Sequence, residues 1–550
     1  MSEAIVDAVR EYHERTKHHL DRYAAALGFM DWANQPDPFR SFDGTEPVDL
    51  PHPQLRNAPT YDSLFAGAPA AATLDAELIG RLCYLSLALS AWKTAGQSSS
   101  WSLRVNPSSG ALHPTEGYFI SGSVPGLIDR PGVFHYAPYW HRLERRCQLS
   151  PDQWDALTEG FPARCLFVGL TSIYWRESWK YGERAFRYCH HDAGHAIGAV
   201  AVAARTLGWQ TRLLRTIADD DLSHLLGVHL QSGFEAEHPD CLLALFPADA
   251  DRAVASLPTL SSDQWHGRVP RVEFTGVPNR LSDDHQPWPA IDDASRATRY
   301  HGIAETVDRS DWPAPDPTPT SRLPDRQLAA EQIIRQRRSA VELDGKTPLR
   351  REVFYEMLRR LLPSQFPFDA APGPPRVSLA IFVHRVDDLE SGLYLLVRDE
   401  AHEPALRAAL NSNFEWQTSA GIDRDLRLYH LHSDDTRPAA KQVSCHQDIA
   451  ADGAFSLGML AEFDAALATD GAGVYPRLFW ETGIIGQVLY LEAEAAGIRA
   501  TGIGCFFDDV MHDILGITDH SWQSLYHFTV GGPLEDERLQ TIAAYDHLDE

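Results

Sequence analysis

The chain repeats itself, and that constrains its fold more than any other feature. Residues Gly194–Val228 align without a gap on Gly483–Ile517, at the same offset of 289 at both ends (483 − 194 and 517 − 228). Identities fall at Gly194/Gly483, Ala204/Ala493, Gly208/Gly497, Asp219/Asp508, Asp220/Asp509, Leu226/Leu515 and Gly227/Gly516. Chance likeness between two alanine-rich helices does not account for the shared Asp-Asp and Leu-Gly pairs beyond them, so the pattern reads as a duplication. Each copy predicts a long apolar helix closed by a glycine, a short extended piece, and a second helix opened by the Asp pair.

The remaining chain fits two such units. Apolar runs predict strand pairs at Glu116–Ser123 with Gly132–Tyr136, and at Val377–His384 with Gly392–Arg398. Between the halves, Asp308–Asp325 carries Pro313, Pro315, Pro317 and Pro319, a spacing that favours an extended connector. The expected organisation is a first domain at 1–255, a proline-rich linker at 256–325 and a second domain at 326–550. Helices mixed with hairpin-like strands give an α+β class rather than a doubly wound parallel sheet. At the N-terminus a helix is expected over Ala4–Leu27. The proline-bearing stretch Asn34–Pro53 is expected to run extended over the body of the protein.

Composition narrows the partners. The 550 residues carry a formal charge of −27, which opposes any broad nucleic-acid or anionic-membrane surface. An anion held here needs a local cluster of arginines. The seven cysteines, Cys83, Cys147, Cys165, Cys189, Cys241, Cys445 and Cys505, stand singly in sequence, with an odd total and no C-x-x-C. This argues against a disulfide framework or a zinc ribbon and for a reducing, cytoplasmic setting. No basic-then-apolar leader and no apolar run long enough to span a bilayer are visible.

Three segments carry candidate chemistry. The run Arg104, Asn106, Pro107, Ser108, Ser109, Gly110, Ala111, Leu112, His113, Pro114, Thr115, Glu116 contains a polar turn with two hydroxyls, a glycine free to take positive φ, and N–H groups able to converge on a ligand. Arg337-Arg338-Ser339, at the opening of the second half, supplies two guanidiniums and a hydroxyl, the donors a phosphate dianion needs. Gly502-Ile503-Gly504 follows the second core helix, where backbone N–H groups can approach a ring edge.

The first of these strings resembles the flavin-binding loop of the nitroreductase superfamily, in its branch of SagB-type dehydrogenases and McbC-like azoline oxidases. The resemblance implies a tandem nitroreductase-like, FMN-dependent fold in which one chain forms an intramolecular pseudo-dimer. The cofactor would lie between Arg104 and Pro107–Gly110 of one half and Arg337–Ser339 and Gly502–Gly504 of the other. Trp179-Lys180-Tyr181-Gly182 resembles the Lys-Tyr motif of the azoline oxidases, which makes Lys180 and Tyr181 the expected catalytic residues. A lysine acts as a base near neutrality only if burial or nearby positive charge lowers its pKa, and Arg184 or Arg187 is the expected source of that charge.

The mirror-image site reads as degraded. Ser364-Gln365-Phe366-Pro367-Phe368 stands where Pro-Ser-Ser-Gly is wanted, and Arg40-Ser41-Phe42-Asp43-Gly44 is the shortened counterpart of the Arg338 to Gly345 stretch. One FMN per chain is expected.

By that resemblance the chain oxidises an azoline or an amino-acid-derived C–H bond in a peptide or small natural product, alongside a biosynthetic partner enzyme. An NAD(P)H-dependent nitro or quinone reductase and a flavin-free, peptide-docking scaffold are the alternatives. His191 and His195, four apart, have the spacing of zinc ligands on one helical face. No glutamate stands between them in the H-E-x-x-H manner, so they read as structural and no metal is expected. Neither G-x-G-x-x-G nor G-x-x-x-x-G-K-[ST] is present in the required context.

Overall fold

The computed structural model describes residues 3–96, 99–249, 260–302, 323–371, 373–419, 422 and 426–548. The two copies of the repeat become matching elements. Core helices Ala185–Thr206 and Val474–Ala495 have 22 residues each, and helices Asp219–Leu226 and Asp508–Leu515 have 8 each. Both pairs keep the offset of 289 (474 − 185 and 508 − 219). The core helices pack against each other at the centre of the molecule, crossing at the shared glycine pair. A Cβ on Gly194 would stand 2.9 Å from Gly483 Cα, and one on Gly483 only 2.7 Å from Gly194 Cα, so neither position admits a side chain.

Each half wraps its core helix in a seven-stranded antiparallel sheet. The first runs, in spatial order, Glu46–Asp49, Arg142–Gln148, Gly132–Ala137, Thr115–Ser121, Leu166–Ser172, His238–Pro247, Trp209–Leu213. The second runs Gln417–Thr418, Leu428–Ser433, Gly392–Leu396, Val377–Val383, Phe455–Glu462, Trp522–Gly531, Arg499–Ile503. Six positions correspond in chain order; only the outermost strand differs in origin.

Central strands are buried on both faces, which is why they read as near-continuous apolar runs. In Val377–Val383, residues Leu379, Ile381 and Val383 join the core around the long helices, while Ala380 and Phe382 enter a separate cluster on the far face. Thr115–Ser121 behaves likewise, with Phe119 on one side and Tyr118 and Ile120 on the other.

The chain ends cross between the halves. Helix Glu3–Arg15 docks on the second half, through Arg10 to Asp464 and His13 to Tyr475 and Gln523. Strand Leu539–Ile542 returns to pair with Leu89–Ala95 of the first half, part of a three-stranded sheet with Ser99–Arg104.

Two expectations are revised. The N-terminal helix stops at Arg15 rather than Leu27, because the chain is drawn off its axis: Lys17 Nζ pairs with Asp509 at 2.9 Å and the His18 N–H donates to Asp508 at 3.0 Å. Within the span read as a linker, residues 260–302 are folded. They form helices Ser262–Arg268 and Pro289–Ala297, bury Trp265 in the first half's core, and pair Val277–Pro278 with Phe42–Asp43. The alternating prolines 313, 315, 317 and 319 lie outside the described residues. Among the described residues no helix is long and apolar enough to cross a membrane.

Candidate functional site

The fold brings the three candidate segments to one cavity of about 640 Å³ between the halves, within the usual range of roughly 300–1,000 Å³ for cofactor and small-molecule sites. Its wall takes Arg104, Pro107, Ser108, Ser109, Gly110 and Tyr181 from the first half, and Arg337, Arg338, Ser339, Gly502, Ile503 and Gly504 from the second. Lys180 stands at the rim beside Gly110.

The Pro-Ser-Ser-Gly loop leaves strand Ser99–Arg104 and makes one tight turn at Ser109–Ala111, with Gly110 at φ 63°, in the left-handed region. Tyr181 Oη and Lys180 Nζ lie 2.6 and 3.0 Å from where a Gly110 Cβ would be, so a side chain there would displace the ends of both. The loop is held from below by Asp192 on the first core helix. Ser109 donates its N–H to both carboxylate oxygens and its hydroxyl to one, each at 3.1 Å. Ser108 Oγ accepts the His113 N–H at 2.8 Å. Arg104 donates to the Thr115 and Pro38 carbonyls at 3.0 and 2.6 Å and faces Glu116 at 3.7 Å, so it shapes the loop's entry from beneath.

Asp192 shares its burial with Glu177. Burial pushes Asp192 up to about 7 against the hydrogen bonds from Ser108 and Ser109. Glu177 is driven well up by burial and by Asp192, with Lys180 opposing. Two carboxyls in one apolar setting hold a proton between them near neutrality.

The expected setting of Lys180 is revised. Lys180 is solvent-exposed at the end of helix Tyr174–Tyr181, its Nζ 5.2 Å from the Tyr181 ring centroid. Arg184 and Arg187 point away, both bound to Asp508 at 2.9 and 2.8 Å. The burial and the free neighbouring cations expected around Lys180 are therefore not what surrounds it. Burial raises Tyr181 well above the ordinary phenol range, which keeps it a neutral hydrogen-bond donor.

Across the cavity, Arg337–Ser339 follow helix Ala330–Gln336 and run beside strand Arg499–Ile503, the Ala340 N–H donating to Ala500 O at 2.9 Å. Gly502 and Ile503 belong to that strand and only Gly504 lies beyond it, so the segment is the end of an edge strand. Arg337 is buried with its guanidinium 5.0 Å from the Tyr490 ring centroid, its Nε and Nη1 have no hydrogen-bond partner, and Nη2 reaches only the Arg104 carbonyl at 3.3 Å. Burial, then Arg337, Arg335 and Arg499, lower Arg338 to about 9. The nearby Glu494 is itself bonded to Arg499 at 2.8 Å. A guanidinium pair of which Arg337 is buried and neither member meets a carboxylate among the described residues is stabilised by an anion set against it. These residues fit the phosphate of FMN.

Sequence reasoning missed several wall residues. Tyr490 Oη bridges Ser339 Oγ and the Gly502 N–H, each at 2.9 Å. Tyr188 and Tyr526 line the cavity beside Gly504 and Gly502. Asp192 and Tyr490 stand among other polar residues of the two core helices, and only burial in the folded chain sets them apart. His191 Nε2 meets the Leu525 carbonyl at 3.1 Å and His195 Nε2 the Tyr526 hydroxyl at 3.3 Å. Among the described residues no group of three or more His, Cys, Asp and Glu is arranged to hold a metal ion.

The mirror position holds a smaller cavity of about 300 Å³. Arg215 stands there where the repeat offset places Gly504, and Arg477 where it places Tyr188 (504 − 215 and 477 − 188 both equal 289). Asp369, next to Phe368, is tied to Arg205 at 2.8 Å. The assignment of Arg40-Ser41 as the counterpart clamp is corrected. Arg40 donates to the Asn279 and Glu235 carbonyls and faces Glu237, whereas the stretch beside Trp209 is Ala70–Ala72, which has no cation.

Residues 390–532 match the Nitroreductase family. A protein of Methanocaldococcus jannaschii assigned as a nitroreductase is 29% identical over 129 residues, 22% of this chain and 63% of the relative, so the match spans less than two-thirds of that relative's length. The crystal structure of a protein from Anabaena variabilis, also assigned as a nitroreductase, superimposes with a TM-score of 0.69 at 21% identity, over 96% of this chain and 99% of that one. The E. coli microcin synthetase McbBCD complex, with truncated pro-MccB17 bound, contains a chain that aligns over 44% of this one and 93% of its own at 14% identity and a TM-score of 0.25. The chain therefore has a nitroreductase-like α+β fold, and its second half carries that family's sequence pattern.

Proposed function

We propose that this chain is an FMN-dependent oxidoreductase, an intramolecular pseudo-dimer with one flavin site, of the SagB-type and McbC-like kind. The observation that carries the reading is the buried Arg337 beside the half-buried Arg338, neither ion-paired to a carboxylate among the described residues, set across a flavin-sized cavity from a serine- and glycine-bearing loop. Arg337, Arg338 and Ser339 would hold the phosphate. The backbone at Gly110 and Gly504 would meet the ring system, with Tyr188, Tyr490 and Tyr526 as its aromatic surroundings. When bound, FMN supplies a two-electron acceptor for a substrate C–H bond.

The protein's own part is to orient that bond and move its proton. Lys180 and Tyr181 stand at the rim, where a substrate enters over Gly110. The Glu177–Asp192 pair beneath the loop holds a proton near neutral pH, suited to exchange with a group above it. A substrate with an acidic C–H bond, such as an azoline or another amino-acid-derived carbon in a peptide or small natural product, matches this arrangement. A peptide reaching the exposed Lys180 stays largely outside the cavity, which suits delivery by a biosynthetic partner enzyme.

The test is anaerobic reduction of the flavin-loaded protein, followed at the flavin's visible band. Bleaching by a thiazoline-containing peptide, slowed in Lys180→Met and Tyr181→Phe variants, is the expected result. Bleaching by NAD(P)H alone would instead establish a nitro or quinone reductase. A protein that takes up no FMN would be a docking scaffold.

A further inference from the structure

Five of the seven cysteines are buried, and the two that are partly exposed, Cys445 and Cys505, are the two that the fold brings together. Their Sγ atoms lie 2.9 Å apart, across 60 residues of sequence. Cys505 follows Gly504 directly and lines the cavity. The pairing is built into the backbone. Gln447, two residues after Cys445, donates its side-chain amide to the Cys505 carbonyl at 3.1 Å and to the Ser444 carbonyl at 2.9 Å, stapling the two loops together. Cys445 and His446 both take positive φ, 51° and 59°, a conformation that costs a non-glycine residue energy and persists where the surroundings enforce it.

The two thiols are not equivalent. His18 Nδ1 accepts the Ala24 N–H at 2.9 Å, which leaves the proton of the neutral ring on Nε2 and available to Cys505. Cys505 is lowered by its contact with Cys445, against burial, with His18 and Arg184 adding to the effect. Cys445 is raised by the same contact and by burial.

We propose that Cys445 and Cys505 form a redox-active dithiol in the cavity wall, with Cys505 as the attacking thiolate and Cys445 as the resolving thiol, whose substrates are low-molecular-weight disulfides. The Cys505 thiolate attacks one sulfur of R–S–S–R. A Cys505–S–S–R bond forms, the original S–S bond breaks, and R–S⁻ leaves with the electron pair and takes up a proton. Cys445 then loses its proton, attacks Cys505 Sγ and expels the second R–S⁻, which is protonated in turn. The sum converts one dithiol and one disulfide into one intramolecular disulfide and two thiols, with two electrons passing from the cysteine pair to the small molecule. This chemistry stands on the cysteines alone and holds whatever cofactor the cavity contains.

The experiment treats the full-length reduced protein with oxidised glutathione, then counts free thiols and maps peptides without reduction. Loss of two thiols of seven and a single cross-link between the peptides bearing Cys445 and Cys505 are expected. Cys445→Ser should stop at a glutathione adduct on Cys505, and Cys505→Ser should give neither adduct nor cross-link. His18→Gln should slow adduct formation about tenfold, the loss of thiolate that one pKa unit brings. Unchanged thiols in excess oxidised glutathione, independent adducts on both cysteines of the unaltered protein, or a cross-link to another cysteine would each overturn the proposal. Because the Cys445→Ser variant is read by what it accumulates at Cys505, a merely misfolded protein, with buried cysteines also labelled, is distinguished from the expected result.

Discussion

At the scale of single residues, Arg337 is the most informative side chain. Its Nε and Nη1 are buried without hydrogen-bond partners, a cost that a bound anion or ordered water would relieve. Arg337→Ala should weaken FMN binding by about 1.5–3 kcal/mol, the worth of hydrogen bonds to a charged group, or roughly ten- to a hundredfold in Kd by titration. Removal of a buried cation that lacks a carboxylate partner should leave the apo protein's Tm unchanged or raised. A fall in both affinity and apo stability would instead make Arg337 structural.

His135 provides a pH signature. Burial acts to lower it, but hydrogen bonds from its ring to Glu116 and Glu144 prevail and raise it to about 8. A histidine raised in the folded state stabilises fully below its unfolded value near 6.5, and that contribution is lost as pH climbs through 8. Tm should therefore decline from pH 6.5 to above 8, and His135→Gln should flatten that part of the curve. Asp192, raised to about 7, acts lower: its burial costs stability progressively from about pH 4 to 7.

Residues of this kind were only partly legible. The arginines and the glycine-bearing loop advertise themselves by type and spacing. Asp192 and Tyr490 act through burial, which no spacing reveals, and the neutralisation of Arg184 and Arg187 by Asp508 joins positions more than 300 apart in sequence.

At the scale of elements, the crossing of the two core helices is the feature most exposed to test. Gly194 and Gly483 bring the backbones into contact, and overpacking such a point costs about 1–3 kcal/mol or more. Gly483→Leu should lower Tm by several degrees and, because the cavity spans both halves, reduce FMN affinity as well. A variant with unchanged Tm would mean that the crossing is loose.

The core helices, the central strands and the repeat offset were readable because each follows a local rule: 3.6-residue periodicity, apolar strand runs, and duplication. The N-terminal helix was read too long because its end is set by Asp508 and Asp509 of the other half, not by a local stop signal. The folded 260–302 segment was hidden by short elements whose stability comes from Trp265 and a two-residue strand pair.

At the scale of the whole molecule, duplication and divergence together set the chemistry. Both halves keep the sheet order and the core helix, and the termini cross so that each half completes the other. Side chains then separate the two symmetry-related positions. One has glycines and tyrosines around a cavity of about 640 Å³; the other has Arg215 and Arg477, with Arg296 and Arg299, around a space of about 300 Å³. The asymmetry is the central claim, and stoichiometry tests it most directly. Apo protein titrated with FMN, followed by quenching of flavin fluorescence against chain concentration, should saturate at one equivalent. Saturation at two would mean that the mirror position is a working site, and no saturable binding would contradict the flavin reading itself.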